Sequence, residues 1–133
     1  MSLIEWDNSF SVGNQQIDEQ HKKFLHIIDT LYDAMKKGEG EDVLLTVLKE
    51  LRHHVQDHFK TEESLMKIYS YPNISSHKAE HEEAILTVNK FFIEYERHDD
   101  KLSIDVLNFL SNWFQNHILR TDREYIPYLN KNI

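Results

Sequence analysis

The sequence predicts an all-α protein: an antiparallel up-down-up-down four-helix bundle with an N-terminal arm. Three observations point there. Four stretches repeat their apolar residues at the 3.6-residue helical period, and short turns separate them. The 133 residues include only three glycines and two prolines, too few for the many tight turns of an all-β fold. Hydrophobic residues make up 40% and charged residues 29%, which fits a globular chain and argues against disorder.

Taken in order, residues 1–17 show no sustained helical period and contain Gly13, so they form the arm, with Trp6 and Phe10 available to pack it onto the body. Asp18 is the expected N-cap of a first helix, about 18–37. Its stripe is Ile17, His21, Phe24, Leu25, Ile28, Leu31, Tyr32 and Met35, and Gly38 and Gly40 stop it. The second helix, about 41–66, carries Leu44, Leu48, Leu51, Val55, His58, Glu62 and Leu65. Tyr71-Pro72-Asn73 breaks the pattern before a third helix, about 74–97, with His77, His81, Ile85, Val88, Phe92 and Tyr95. His98-Asp99-Asp100 makes a polar turn. The fourth helix, about 102–121, faces Val106, Phe109, Leu110, Trp113 and His117 inward, and Pro127 limits its continuation. Short connections make successive helices antiparallel, and residues 1–133 are expected to form a single domain.

Charge and composition exclude several functions. A net charge of −8 disfavours nucleic acid and anionic membranes as partners. The absence of cysteine removes disulfides, thiolate ligands, iron–sulfur clusters and Cys nucleophiles. The N-terminal segment lacks the basic and apolar regions of a signal peptide, and no apolar run is long enough to span a bilayer, so a cytoplasmic location is expected.

Polar residues interrupt the apolar stripes at His21, His58, Glu62, His77, His81 and His117. His58/Glu62 and His77/His81 are i,i+4 pairs, which share a helix face. In an up-down-up-down bundle the start of the first helix, the end of the second, the start of the third and the end of the fourth lie together. Every interrupting residue therefore falls in one layer. Taken singly, each histidine has an ordinary explanation as a satisfied core residue. Together they would bury several polar groups with no evident partner, at a cost that a metal centre removes. His26, His53, His54 and His98 fall off the stripes or in turns and are expected to face solvent.

Imidazole and carboxylate donors suit Fe, Mn, Zn, Ni or Cu without choosing among them. Five imidazoles exceed the need of one tetrahedral zinc, whereas a dinuclear centre with bridging carboxylates uses them. Asp122 supplies a bridging acid if helix four is distorted, because five residues beyond His117 an ideal α-helix points about 140° away. A π-type bulge is the simplest such distortion.

The order His21, His58-x3-Glu62, His77-x3-His81, His117-x4-Asp122 resembles the hemerythrin signature, and specifically that of single-domain bacterial hemerythrins. The flanking segments agree: Ile-Asp-Glu-Gln-His, His-Phe-Lys-Thr-Glu-Glu-Ser-Leu-Met and Trp-Phe-Gln-Asn-His-Ile. The resemblance implies a non-haem di-iron centre that binds O2 reversibly. By it, His77, His81 and His117 hold one iron, and His21 and His58 hold a second with an open position. Glu62 and Asp122 bridge the two irons (Fe2+/Fe3+) together with an oxo or hydroxo group.

The expected function is therefore O2 storage, delivery or sensing by a protein that is not an enzyme, with O2 as ligand and no obligate protein partner evident. Alternatives are an iron-dependent enzyme acting on peroxide or nitric oxide, a sensory or interaction module, and a metal-free bundle. Phe24, Phe59, Trp113, Phe114 and Ile118 are candidates to line an apolar O2 pocket, with Tyr125 beside it. The family often has leucine where this chain has Phe114, so the larger ring is expected to act as a gate.

Overall fold

The computed structural model describes residues 4–97 and 101–130, with side chains through Tyr128; the expected turn at His98-Asp99-Asp100 lies outside them. Four long helices follow the arm: α1 (Gln15–Lys36), α2 (Gly40–Ile68), α3 (Ile74–Glu96) and α4 (Leu102–Trp113). α1 packs on α2 and α4, and α3 on the same two, closing a four-helix bundle. Helix α4 continues through a π-helical turn, Phe114–Ile118, and a 3-10 turn, Thr121–Arg123, into the short α5 (Ile126–Asn130).

Helix α1 begins three residues before Asp18. Asn14 is the N-cap, its side-chain oxygen accepting from the Ile17 N–H at 3.1 Å. Asp18 instead holds the arm, accepting from the Val12 N–H at 2.8 Å and the Ser11 hydroxyl at 2.5 Å. Gly13, at φ 77°, makes the bend between arm and helix. Phe10 meets Trp6 and Phe114 edge-on, with centroids 5.7 and 5.5 Å away.

Both following helix ends use the same left-handed cap. At α1, Gly38 (φ 74°) lets the Glu39 N–H reach the Ala34 carbonyl at 2.7 Å. At α2, Ser70 (φ 56°) takes the glycine's place, and the Tyr71 N–H donates to the Met66 carbonyl at 2.9 Å. That turn seats Tyr71 beside Met66 and Tyr125 in a small second core under the polar layer.

The buried faces match the expected stripes with shifts of one position. Met66 is buried where Leu65 was expected, Ala84 and Phe91 where Ile85 and Phe92 were, and Phe114 where Trp113 was; the displaced residues are half-buried flanks. In helices this long the inward face is wide, and two adjacent apolar residues compete for its centre. The main core is centred on Leu31, Val47, Leu48, Leu51, Val106 and Leu110, and it reaches Phe59 and Ile118 beside the histidines. No helix among the described residues is long and apolar enough to cross a membrane.

Candidate metal centre

His21 lies in the second turn of α1, His58 and Glu62 near the end of α2, and His77 and His81 in the first turns of α3. His117 sits in the π turn and Asp122 in the 3-10 turn. All seven are at most 2% exposed. The π turn, closed by the Leu119 N–H donating to the Phe114 carbonyl at 3.0 Å, supplies the expected distortion of helix four. It and the 3-10 turn bring Asp122 back to the face that His117 occupies.

Asp122 stands at the middle. Its Oδ1 lies 2.9 Å from His77 Nε2 and 3.0 Å from His117 Nε2, and its Oδ2 lies 3.2 Å from His21 Nε2 and 4.0 Å from His58 Nε2. Glu62 Oε1 lies 3.1 Å from His58 Nε2 and 3.4 Å from His81 Nε2. Two groups of potential ligand atoms result, each within 4.8 Å: Glu62, His77, His81, His117 and Asp122 in one, and His21, His58, Glu62 and Asp122 in the other. The two carboxylates belong to both.

The donor set fits a bound cation, and hydrogen bonding alone does not satisfy it. His58 Nε2, His77 Nε2, Glu62 Oε1 and Asp122 Oδ1 are buried without a hydrogen-bond partner among the described residues. His81 Nε2 and His117 Nε2 face each other at 3.1 Å. Their Nδ1 atoms contact Glu63 at 2.8 Å and Glu80 at 3.0 Å. With the protons on Nδ1, two lone pairs point at each other, an arrangement that a cation between them resolves. Burial pushes Glu62 toward its neutral form and Asp122 reinforces this, but the His58 and His81 imidazoles together hold its pKa at about 2. Asp122 is likewise held low: burial opposes ionisation and His117 leads the groups that favour it. Both bridging candidates are thus carboxylates, the form a metal needs.

Around this layer lie residues that periodicity did not single out. Gln20 Oε1 accepts from His58 Nδ1 at 2.5 Å, and Glu63 and Glu80 serve His81 and His117 in the same way. Each is the sequence neighbour of an expected ligand, but serves a histidine on the next helix. Tyr125 is fully buried and donates its hydroxyl to Glu62 Oε2 at 2.7 Å. Burial, then the Glu62 charge, drives its pKa far upward, so it stays a phenol. Phe59 stacks on His81 and Trp113 on His117, whereas Phe24 stacks on Phe114 and Ile118 lies in the main core.

His54 corrects an expectation. His26 and His53 are exposed as expected, but His54 is only 8% exposed, in the wide face of α2 one turn before His58. It borders a cavity of about 360 Å³ between α1 and α2 that also touches Gln20 and His58. Burial, then the His58 and His21 charges, lowers its pKa to about 3. An unfolded chain protonates this residue below about pH 6.5. The folded, metal-free chain does not until near pH 3. Stability contributed by neutral His54 is therefore lost as pH falls through that window. Denaturant unfolding of metal-free His54→Leu should show a shallower loss between pH 6.5 and 4, by up to a few kcal/mol.

Comparison with known proteins places this geometry. A family model described as "Hemerythrin HHE cation binding domain" matches residues 12–129. A bacteriohemerythrin of Clostridium acetobutylicum is 32% identical over 128 residues, covering 93% of this chain and 99% of its own. A hemerythrin-like protein of Naegleria gruberi is 32% identical over 129 residues, covering 93% and 92%. The crystal structure of a wild-type hemerythrin superposes with a TM-score of 0.85 at 27% identity, covering 96% of this chain and 98% of that one.

Proposed function

The chain belongs to the hemerythrin family, and from that premise we propose that it binds O2 reversibly at a non-haem di-iron centre, for storage, delivery or sensing. One observation carries the reading most: two buried donor groups of unequal size share Glu62 and Asp122. His77, His81 and His117 would hold one iron and His21 and His58 the other, with Glu62 and Asp122 available to both. When bound, the iron pair supplies the electrons that O2 takes up on binding and returns on release. The smaller donor group leaves room for a ligand on the His21–His58 side.

The protein's own side chains prepare that exchange. The Tyr125 hydroxyl occupies Glu62 Oε2 and fixes the rotation of the carboxylate. Phe24, Phe59, Phe114 and Ile118 are each at most 3% exposed, and this apolar wall would keep water and protons away from the site. The cavity beside Gln20, His54 and His58 offers an approach to the smaller group from between α1 and α2.

The test is direct. The reduced, iron-loaded protein exposed to air should develop a visible charge-transfer band, lose it when O2 is removed, and contain two irons per chain. A band that never reverses would overturn O2 carriage. Turnover of peroxide or nitric oxide far beyond stoichiometric reaction would make the protein an enzyme instead.

Phe114 gives a second prediction. It is fully buried between Phe24 and Phe10, and we assign it the gate over the apolar wall. Phe114→Leu should lower stability by about 1–2 kcal/mol and speed autoxidation of the oxy form, because the space it leaves admits water. An unchanged decay of the visible band removes the gate.

A further inference from the structure

Three of the five clustered imidazoles are held by a residue on the preceding helix. Gln20 on α1 holds His58 on α2, Glu63 on α2 holds His81 on α3, and Glu80 on α3 holds His117 beyond α4. In each case the oxygen meets Nδ1, which keeps the proton there and turns the Nε2 lone pair toward the cluster. The three holders are chemically unequal. Both that serve the larger donor group are acids, and the one that serves the smaller group is a neutral amide.

The two acids are themselves positioned. Lys78 Nζ lies 3.9 Å from Glu63 Oε1, and the Thr121 hydroxyl donates to Glu80 Oε1 at 3.1 Å. Phe59 stacks on the His81 ring at 3.8 Å and 2°, and Trp113 on the His117 ring at 4.0 Å and 13°. Gln20 is anchored by its amide donating to the Thr61 hydroxyl at 3.2 Å. His21 Nδ1 and His77 Nδ1 have no hydrogen-bond partner among the described residues. A carboxylate accepting an imidazole proton makes the opposite nitrogen a stronger donor than an amide does. The larger group therefore combines more donors, two rings stacked on aromatic faces and two imidazoles backed by carboxylates.

We propose that the two subsites fill in a fixed order: a divalent cation enters the His77–His81–His117 subsite first and the His21–His58 subsite second, with Glu63 and Glu80 setting the first affinity and Gln20 the second. This rests on the metal-centre assignment above. A chain carrying one cation is then a defined assembly intermediate whose ligand-accessible subsite fills last.

The experiment titrates the metal-free full chain with Co2+, followed by calorimetry and visible absorption. The unaltered protein should bind in two resolved steps. Glu63→Gln and Glu80→Gln keep an acceptor oxygen and remove only the charge. Each should weaken the first step, by up to about 10–100-fold, and leave the second unchanged. Gln20→Glu, which adds a charge behind His58, should tighten the second step and not the first. That gain is something a merely structural role for Gln20 would not produce. Circular dichroism of the metal-free variants checks that the bundle is retained. The order is overturned if both glutamine substitutions leave the first step unchanged, or if Gln20→Glu strengthens the first step. Tight binding in one indivisible step overturns the order alone, whereas no binding by the unaltered protein overturns the metal-centre assignment.

Discussion

Asp122→Ala is expected to abolish paired metal binding: iron should fall from two per chain to one at most, and the air-induced visible band should disappear. The carboxylate faces His21 of α1, His58 of α2, His77 of α3 and His117 of the π turn, all within 4.0 Å. It is one of two residues common to both donor groups. Residues that merely support a ligand cost about 10–100-fold in affinity when removed, so losing a ligand shared by both subsites should cost at least about 100-fold at each. The fold should survive, because most of the main apolar core, including Leu31, Leu48, Leu51 and Val106, is built from residues that do not touch Asp122. Metal analysis and far-ultraviolet circular dichroism together decide the matter. Two irons retained in a helical Asp122→Ala protein would remove Asp122 from its bridging role.

The same geometry shows what the sequence makes legible. Histidines such as His77 and His81 stand out because each occupies a place in an apolar stripe where burial without a partner is costly. Asp122 was reachable by a different route: it sits at the wrong helical phase, so an acid beyond His117 matters only if the helix is distorted, and the π turn supplies that distortion.

Other features depend on helix pairing, which periodicity does not encode. Gln20, Glu63 and Glu80 each adjoin an expected ligand, and in a single helix they look like ordinary solvent-side residues. Their role appears only when the neighbouring helix brings His58, His81 or His117 within 3.0 Å. His54 was assigned to solvent because it breaks the stripe beside Val55, yet α2 buries Leu51, His54, Val55, His58 and Phe59 across one wide face. Tyr125 had no periodic context at all. It is buried against His77 and Tyr71, with ring centroids 5.7 and 6.3 Å away, contacts that only the folded bundle brings together.

Chelating the metal should destabilise the protein strongly, and unevenly. Glu62 and Asp122 are fully buried, and four of the cluster's Nε2 and carboxylate atoms lack hydrogen-bond partners among the described residues. A cation that binds only the folded form stabilises it by about 4 kcal/mol when free metal exceeds its dissociation constant 1,000-fold. For a chain of this size that corresponds to a melting-temperature rise of roughly 10–20 °C. Loss of metal should be felt first at the polar end, where only the small core of Met66, Tyr71 and Tyr125 lies on the Tyr125 side of the cluster. Amide hydrogen exchange should therefore accelerate through the π turn and Thr121–Arg123 on chelation, while Leu48 and Leu51 in the main core stay protected. Equal melting temperatures with and without metal would show that the imidazoles and carboxylates satisfy one another, and the cluster would then be a structural network.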